Sequence, residues 1–303
     1  MSRRGGSSAY LALAAVCFFW GTTYLAIRIA IETLPPAFVI FARFTLSGSI
    51  LLIVARVRGA HIPRGRELWI ACICGVIILG IGNAAPVYAE QMLPSGLAGL
   101  FVTLQPFWLT GIEAVMGGEA LQTPTILGMA IGFAGSALLL LPGAGALGHS
   151  TLAGFAIMQV GVFSWSLGSL VQRRQPMRAH PIVIGAVQQL AAGLFYIPVV
   201  AFVPEAPIVF SQRSVLALLY LVVFGSIVGY SAFIFAMDRL PVAVVSVYPY
   251  INAVVAMAMG WLFFREPFGL REVTAMLIIF AGVAVVKWQS AKWQTGATAP
   301  AGE

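Results

Sequence analysis

Residues 88–94, Tyr88-Ala89-Glu90-Gln91-Met92-Leu93-Pro94, return 147 positions later as Phe235-Ala236-Met237-Asp238-Arg239-Leu240-Pro241. The same offset, without a gap, pairs Gly21 with Gly168, Gly82 with Gly229, Glu119 with Glu266 and Gly135 with Gly282. One such match means little in an apolar chain, but a constant offset across four helices indicates an internal duplication. Outward from these stretches, apolar runs divided by Pro, Gly or charged residues make ten segments. They lie near 9–29, 36–55, 69–89, 95–116, 124–141, 152–172, 181–203, 213–236, 241–263 and 268–286. Each copy holds five segments, and because five is odd the second copy must cross a membrane in the opposite sense to the first. The expectation is an all-α membrane protein with ten transmembrane helices as two inverted five-helix repeats, 1–146 and 147–290, and a flexible cytoplasmic tail over 291–303. Repeats of this kind are characteristic of alternating-access carriers.

Composition agrees with that reading. Of 303 residues, 60% are hydrophobic and 9% are Asp, Glu, Lys or Arg, against about 25% charged in a soluble domain. A water-soluble enzyme and a disordered chain are both excluded. Ten spans of about 20 residues each leave too little chain for a separate soluble domain. The net charge of +7 is read as a topology signal rather than a nucleic-acid footprint. With the N-terminus inside, the inner segments carry Arg3, Arg4, Arg56, Arg58, Arg64, Arg66, Arg173, Arg174, Arg178, Arg239, Lys287 and Lys292, and the outer loops only Arg213, Arg265 and Arg271. Both termini are therefore expected in the cytoplasm, in an inner membrane. Ala9 to about Ile27 is long enough to span and no small-x-small site follows before Arg28, so this run is expected to remain as the first helix. Cys17, Cys72 and Cys74 all lie in apolar runs and are read as packing residues.

Catalysis finds no support. His61, His149 and His180 fall in loops, Asp238 is the only Asp, and neither a nucleophile with its base nor a metal centre can be assembled. No cofactor or metal is expected. A channel or structural subunit is the remaining competing class, distinguished from a carrier by conductance rather than saturable exchange.

The residues resemble the ten-helix EamA-type exporters of the drug/metabolite transporter superfamily over Phe18 to Val286. The carriers of the resemblance are Phe19-Trp20-Gly21-Thr22, Ala42-Arg43-Phe44, Leu93-Pro94 and Gly118-Glu119. In the second copy they are Ser164-Trp165-Ser166-Leu167-Gly168, Leu240-Pro241 and Arg265-Glu266. Arg265 stands where the family more often has Gly. The resemblance implies export of amino acids or related small metabolites; family relatives also move nucleotide sugars and phosphorylated sugars, so the substrate does not come with the fold.

Polar and aromatic side chains deep in the apolar runs are the substrate-binding candidates: Trp20, Asn83, Gln105, Trp108, Trp165, Tyr230, Ser246, Tyr248 and Asn252. Gln105 and Trp108 fall about 15–20 Å along their helix, and the repeat register sets Asn252 opposite Gln105. Interhelical hydrogen-bonding is the competing role for each. A lining of Trp, Tyr, Asn and Gln suits neutral or zwitterionic substrates with apolar parts, aromatic amino acids among them, and suits sugar phosphates poorly. Gly82, Pro86, Pro106, Gly229 and Pro249 lie in corresponding helices of both halves, which favours hinges over static kinks. The Gly128/Gly132 and Gly225/Gly229 pairs read as close-packing positions. Arg43 is too deep to snorkel; a carboxylate-binding and a structural role both fit, and the resemblance favours the structural one. Arg28 and Glu90, near helix ends, are expected to snorkel, and Glu113 is at the inner end of its helix. With no acidic residue at the midplane, facilitated export is favoured; a proton-coupled exporter of drug-like or nucleotide-type metabolites is the alternative. The expected partners are a small-molecule substrate and the lipid bilayer, not nucleic acid, with monomer and homo-oligomer both open.

Overall fold

The computed structural model describes residues 7–117, 121–140 and 149–296. They form ten helical passes: α1 Ser7–Ala30, α2 Pro36–Val57, α3 Gly65–Ala89, α4 Ser95–Val115, α5 Thr123–Leu140, α6 Thr151–Arg173, α7 Pro181–Phe202, α8 Gln212–Arg239, α9 Tyr248–Phe264 and α10 Leu270–Gly296. The first eight are long and apolar enough to cross a membrane, and α9 is a shorter apolar helix. Long hydrocarbon-facing stretches without water leave the backbone no choice but helix. Glu119 and Gly118 lie outside the described residues. α10 runs on to Gly296, past the expected start of the tail at 291.

Neighbouring helices follow a pattern. α2 packs on α7, α5 on α10, and α4 on α9. α1 packs on α8 and α9 just as α6 packs on α3 and α4. Small residues allow the closest approaches: a Cβ on Gly282 would lie 2.5 Å from the Gly128 carbonyl and from the Gly132 nitrogen. The first glycine pair therefore does serve helix packing, as expected. Gly225 instead faces Thr23 of α1 and Arg43 of α2, and Gly229 faces Trp20 of α1.

Five passes are not regular, among them α7, which breaks at Tyr196 between Pro181–Phe195 and Ile197–Phe202. Val76–Gly82 in α3 and Leu221–Val228 in α8 are wound wide, with i→i+5 bonds such as Asn83 N to Ile78 O at 2.9 Å. Such turns are uncommon and concentrate at functional sites. α4 breaks between Ser95–Val102 and Gln105–Val115, and α9 is preceded by a short turn of helix, Val242–Val245. Pro106 and Pro249 each stand in the first turn after a break, where no backbone hydrogen bond is lost to the missing N–H. The prolines thus start new segments rather than strand carbonyls inside old ones.

The end of the bundle opposite the termini is tightly tied. Glu266, after α9, accepts from Ser95 N at 2.8 Å with one carboxylate oxygen, and from Gly96 N and Ser95 Oγ at 3.0 Å with the other. It supplies an anion to the N-terminus of α4, where free N–H groups need one. Glu205 likewise accepts from Ala37 N at 3.1 Å, and Thr33 bonds Ser214 at 2.7 Å. In Ser95–Val102 every residue through Phe101 is buried, and the segment packs on α9. In Gln105–Val115 only Phe107 is buried, and that segment leans on α6 and α10. α4 and α9 are therefore joined at the far end and part toward the terminal end.

Candidate substrate site

Trp20 and Tyr248 meet edge to face with ring centroids 5.2 Å apart, and Phe233 of α8 packs against them at 5.3 and 5.6 Å. Offset and edge contacts of this kind fix ring planes beyond what area burial does. The Trp20 indole donates to the Gly225 carbonyl at 3.0 Å, in the wide-wound segment of α8. Asn252, one turn along α9 from Tyr248 and 6% exposed, is oriented to donate to Cys17 O at 2.8 Å and Tyr248 O at 3.0 Å. It fastens α9 to α1, which is the interhelical role weighed against binding for it.

A second group lies on α4 and α6. Trp108 Nε1 donates to Gln159 Oε1 at 2.9 Å, and its ring is edge-on to Phe163 at 5.3 Å. The Gln159 amide nitrogen is buried without a partner among the described residues. Ser166 Oγ reaches the Gln105 carbonyl at 3.5 Å, while the Gln105 side chain is half-buried and makes no hydrogen bond to a described residue. Asn252 and Gln105 thus occupy corresponding but separate interfaces, α9 with α1 and α4 with α6. Trp165 is half-buried over Gly82, where an added Cβ would lie 3.1 Å from that of Trp165.

The third group centres on Arg43, 4% exposed in α2. Its Nε donates to Ser226 Oγ at 2.9 Å and its Nη1 to Asn83 Oδ1 at 3.3 Å. The guanidinium lies 5.0 Å from the Phe44 ring centroid. Asn83 closes the wide segment of α3 and Ser226 lies within that of α8, so one side chain bridges the two irregular stretches. Gly82 and Gly229 sit at the ends of the same stretches, whereas Pro86 begins the short straight run Ala85–Ala89.

Two expected residues stand apart. Ser246 accepts from Lys287 Nζ through its carbonyl at 2.7 Å and its hydroxyl at 2.8 Å, and the ammonium lies 4.9 Å from the Tyr250 ring centroid. Tyr230 fills the space over Gly185 and reaches the Pro181 carbonyl at 3.5 Å, at the start of α7.

The peripheral charges need correction. Glu90 does not snorkel: it is fully buried, and both carboxyl oxygens lack a partner among the described residues. Arg28 turns inward to the Glu90 backbone carbonyl and toward the Phe264 ring. Glu113 is exposed. Sequence reasoning missed Gln159, Ser226, Phe233 and Tyr24. The rule that picked Gln105, a polar side chain deep in an apolar run, applies equally to Gln159 and Ser226; Phe233 and Tyr24 are aromatic residues in helices rich in them and carry no such signal. Two clefts, about 580 and 550 Å³, open at the far end beside Trp261 and Glu272 and between Glu32 and Gln91. None of the candidate residues lines either.

The pattern of the EamA-like transporter family matches the chain twice, over residues 7–141 and 152–288. The uncharacterized inner membrane transporter YedA of Escherichia coli K12 is 31% identical over 90% of this chain and 89% of its own. A probable terminal-alkyne amino-acid exporter of Streptantibioticus cattleyicolor is 24% identical over 86% of each chain. A protein of known crystal structure, 22% identical, superposes with a TM-score of 0.65 on 95% of this chain and 99% of its own, a likeness of fold. By these matches, which span nearly all of the described helices, the chain belongs to the EamA-like transporter family.

Proposed function

We propose that the chain exports amino acids, neutral and aromatic ones included, and related small metabolites, by facilitated diffusion through alternating access. The observation that carries this reading is the Trp20–Phe233–Tyr248 cluster, which joins α1, α8 and α9 on the side of the bundle where α4 and α9 part. Aromatic faces without a fixed carboxylate suit a side chain that is apolar on a molecule that is net neutral. The twofold family match and the corresponding helix contacts support two inverted repeats, 1–146 and 147–290. The probable terminal-alkyne amino-acid exporter among the relatives supports the substrate class. With both termini in the cytoplasm of a bacterial-type inner membrane, the parted end of α4 and α9 faces the substrate pool.

One observation favours proton coupling instead: the buried, unpartnered Glu90 carboxyl, since carboxyls inside spans commonly relay protons. Uptake of labelled phenylalanine and threonine into proteoliposomes, with and without an imposed pH gradient, decides between the two. Saturable uptake indifferent to the gradient is the expected outcome. Accumulation only with the gradient, abolished in Glu90→Gln, would replace facilitated export by proton coupling. Absence of uptake of both amino acids by folded protein would move the substrate to drug-like or nucleotide-type metabolites.

A further inference from the structure

Arg43 is a buried cation without an anion. Among the described residues no carboxylate forms an ion pair with it, and its two hydrogen bonds go to the neutral Ser226 and Asn83. Nη2 makes no hydrogen bond to a described residue; it lies over Gly225, where an added Cβ would come within 3.2 Å of it. The carbonyl of that same Gly225 holds the Trp20 indole. The unused Nη2 of the guanidinium and the aromatic cluster are therefore neighbours across one residue. Tyr24, 8% exposed and one turn along α1 from Trp20, shares the Trp20 face of that helix, with its ring over Gly99 of α4 and with Glu90, Tyr248 and Arg43 as its ionisable neighbours. Its hydroxyl makes no hydrogen bond to a described residue. A guanidinium withdrawn from water is costly unless an anion meets it, and its planar fork matches a carboxylate.

We propose that Arg43 binds the carboxylate of the substrate, with Nη2 and the Tyr24 hydroxyl as donors and the substrate's apolar portion against Trp20, Phe233 and Tyr248. The ligand class is a small carboxylate with an apolar or aromatic tail. Asn83 and Ser226 are positioning residues: by taking Nη1 and Nε they fix the guanidinium plane and leave Nη2 free over Gly225. The inference deepens the proposed function by assigning an orientation to the cargo, and it rests on the aromatic cluster being the place where cargo binds.

The test is a ligand series on the purified full-length wild-type protein, read by intrinsic tryptophan fluorescence and by competition with labelled phenylalanine uptake. The probes are phenylalanine, 3-phenylpropionate, phenylalaninamide and phenethylamine. The two carboxylates are expected to bind saturably, and the amide and the amine at least about tenfold more weakly, as loss of a charge-assisted hydrogen bond requires. Tyr24→Phe is expected to weaken the carboxylates several-fold and leave the amide unchanged. Arg43→Gln is expected to abolish the preference; because removing a buried guanidinium can unfold the bundle, the wild-type series and Tyr24→Phe carry the result without it. Equal binding of phenylalanine and its amide, or no saturable binding of 3-phenylpropionate, overturns the assignment. If 3-phenylpropionate binds but neither phenylalanine nor threonine is transported, Arg43 stands and the amino-acid cargo falls. If phenylalanine is transported and its amide competes equally, the cargo stands and Arg43 falls.

Discussion

Arg265 closes α9 with a left-handed backbone, φ 53° and ψ 34°, the conformation in which a Cβ crowds the following carbonyl. Glycine, which the family resemblance leads one to expect at this position, occupies this region without steric cost. The turn that Arg265 makes delivers Glu266 to the N-terminus of α4, so the strain serves a contact across the bundle. Arg265→Gly is expected to raise thermal stability by about 0.5–1 kcal/mol without changing transport, measured as the melting temperature in detergent alongside uptake. A melting temperature that falls would mean the arginine side chain contributes more than its backbone costs. At this scale the sequence was legible in part. The pairing of Glu119 with Glu266 could be read from the offset, but the capping of Ser95 and Gly96 could not, because it joins residues 171 positions apart. Glu90 was misread for a related reason: position near a helix end says nothing about whether other loops fold over it.

At the scale of elements, the ten passes emerge from hydropathy alone because a span of about 20 apolar residues has few alternatives. The irregularities do not. Glycine at 82 and 229 and proline at 106 and 249 marked passes that deviate, but the wide winding of Val76–Gly82 and Leu221–Val228 depends on contacts outside each helix. Gly229 shows the dependence: a Cβ there would lie 2.5 Å from Trp20 Nε1 and 2.9 Å from the Phe224 carbonyl. Gly229→Ala must push the indole off the Gly225 carbonyl or shift α8, an overpacking that costs about 1–3 kcal/mol. Transport of phenylalanine is expected to fall about tenfold or more, with loss of the tryptophan fluorescence response. Gly111, in the part of α4 that faces open space, has nothing within 4 Å of an added Cβ, so Gly111→Ala is the matched control and should leave uptake and stability near wild type. Equal behaviour of the two variants would show that the Trp20 anchor is dispensable.

At the scale of the whole molecule, the duplication read from a constant offset of 147 residues has a counterpart in the helix contacts: α1 meets α8 and α9 as α6 meets α3 and α4. What no sequence periodicity can carry is which end is closed, because a carrier uses the same residues in every state and only their partners change. Here the partners are explicit. Ala98 in the joined half of α4 is fully buried against its surroundings, whereas Thr110 in the parted half is half-buried. With cytoplasmic termini, a membrane-impermeant maleimide added to a background lacking Cys17, Cys72 and Cys74 should label Thr110→Cys from the cytoplasmic side in inside-out vesicles. It should not label it in right-side-out vesicles, and Ala98→Cys should resist from both sides at rest. Substrate cycling should then raise labelling of Ala98→Cys from the outside, because under the proposed alternating access the far-end contacts of Glu266 with Ser95 and Gly96 open once per transport event. Labelling of Thr110→Cys only from the outside would reverse the orientation derived from the Arg and Lys distribution. Labelling of Ala98→Cys at rest would mean that these few hydrogen bonds, each worth only about 0.5–3 kcal/mol net, do not hold the outer end shut without cargo, and that the resting protein already samples both states.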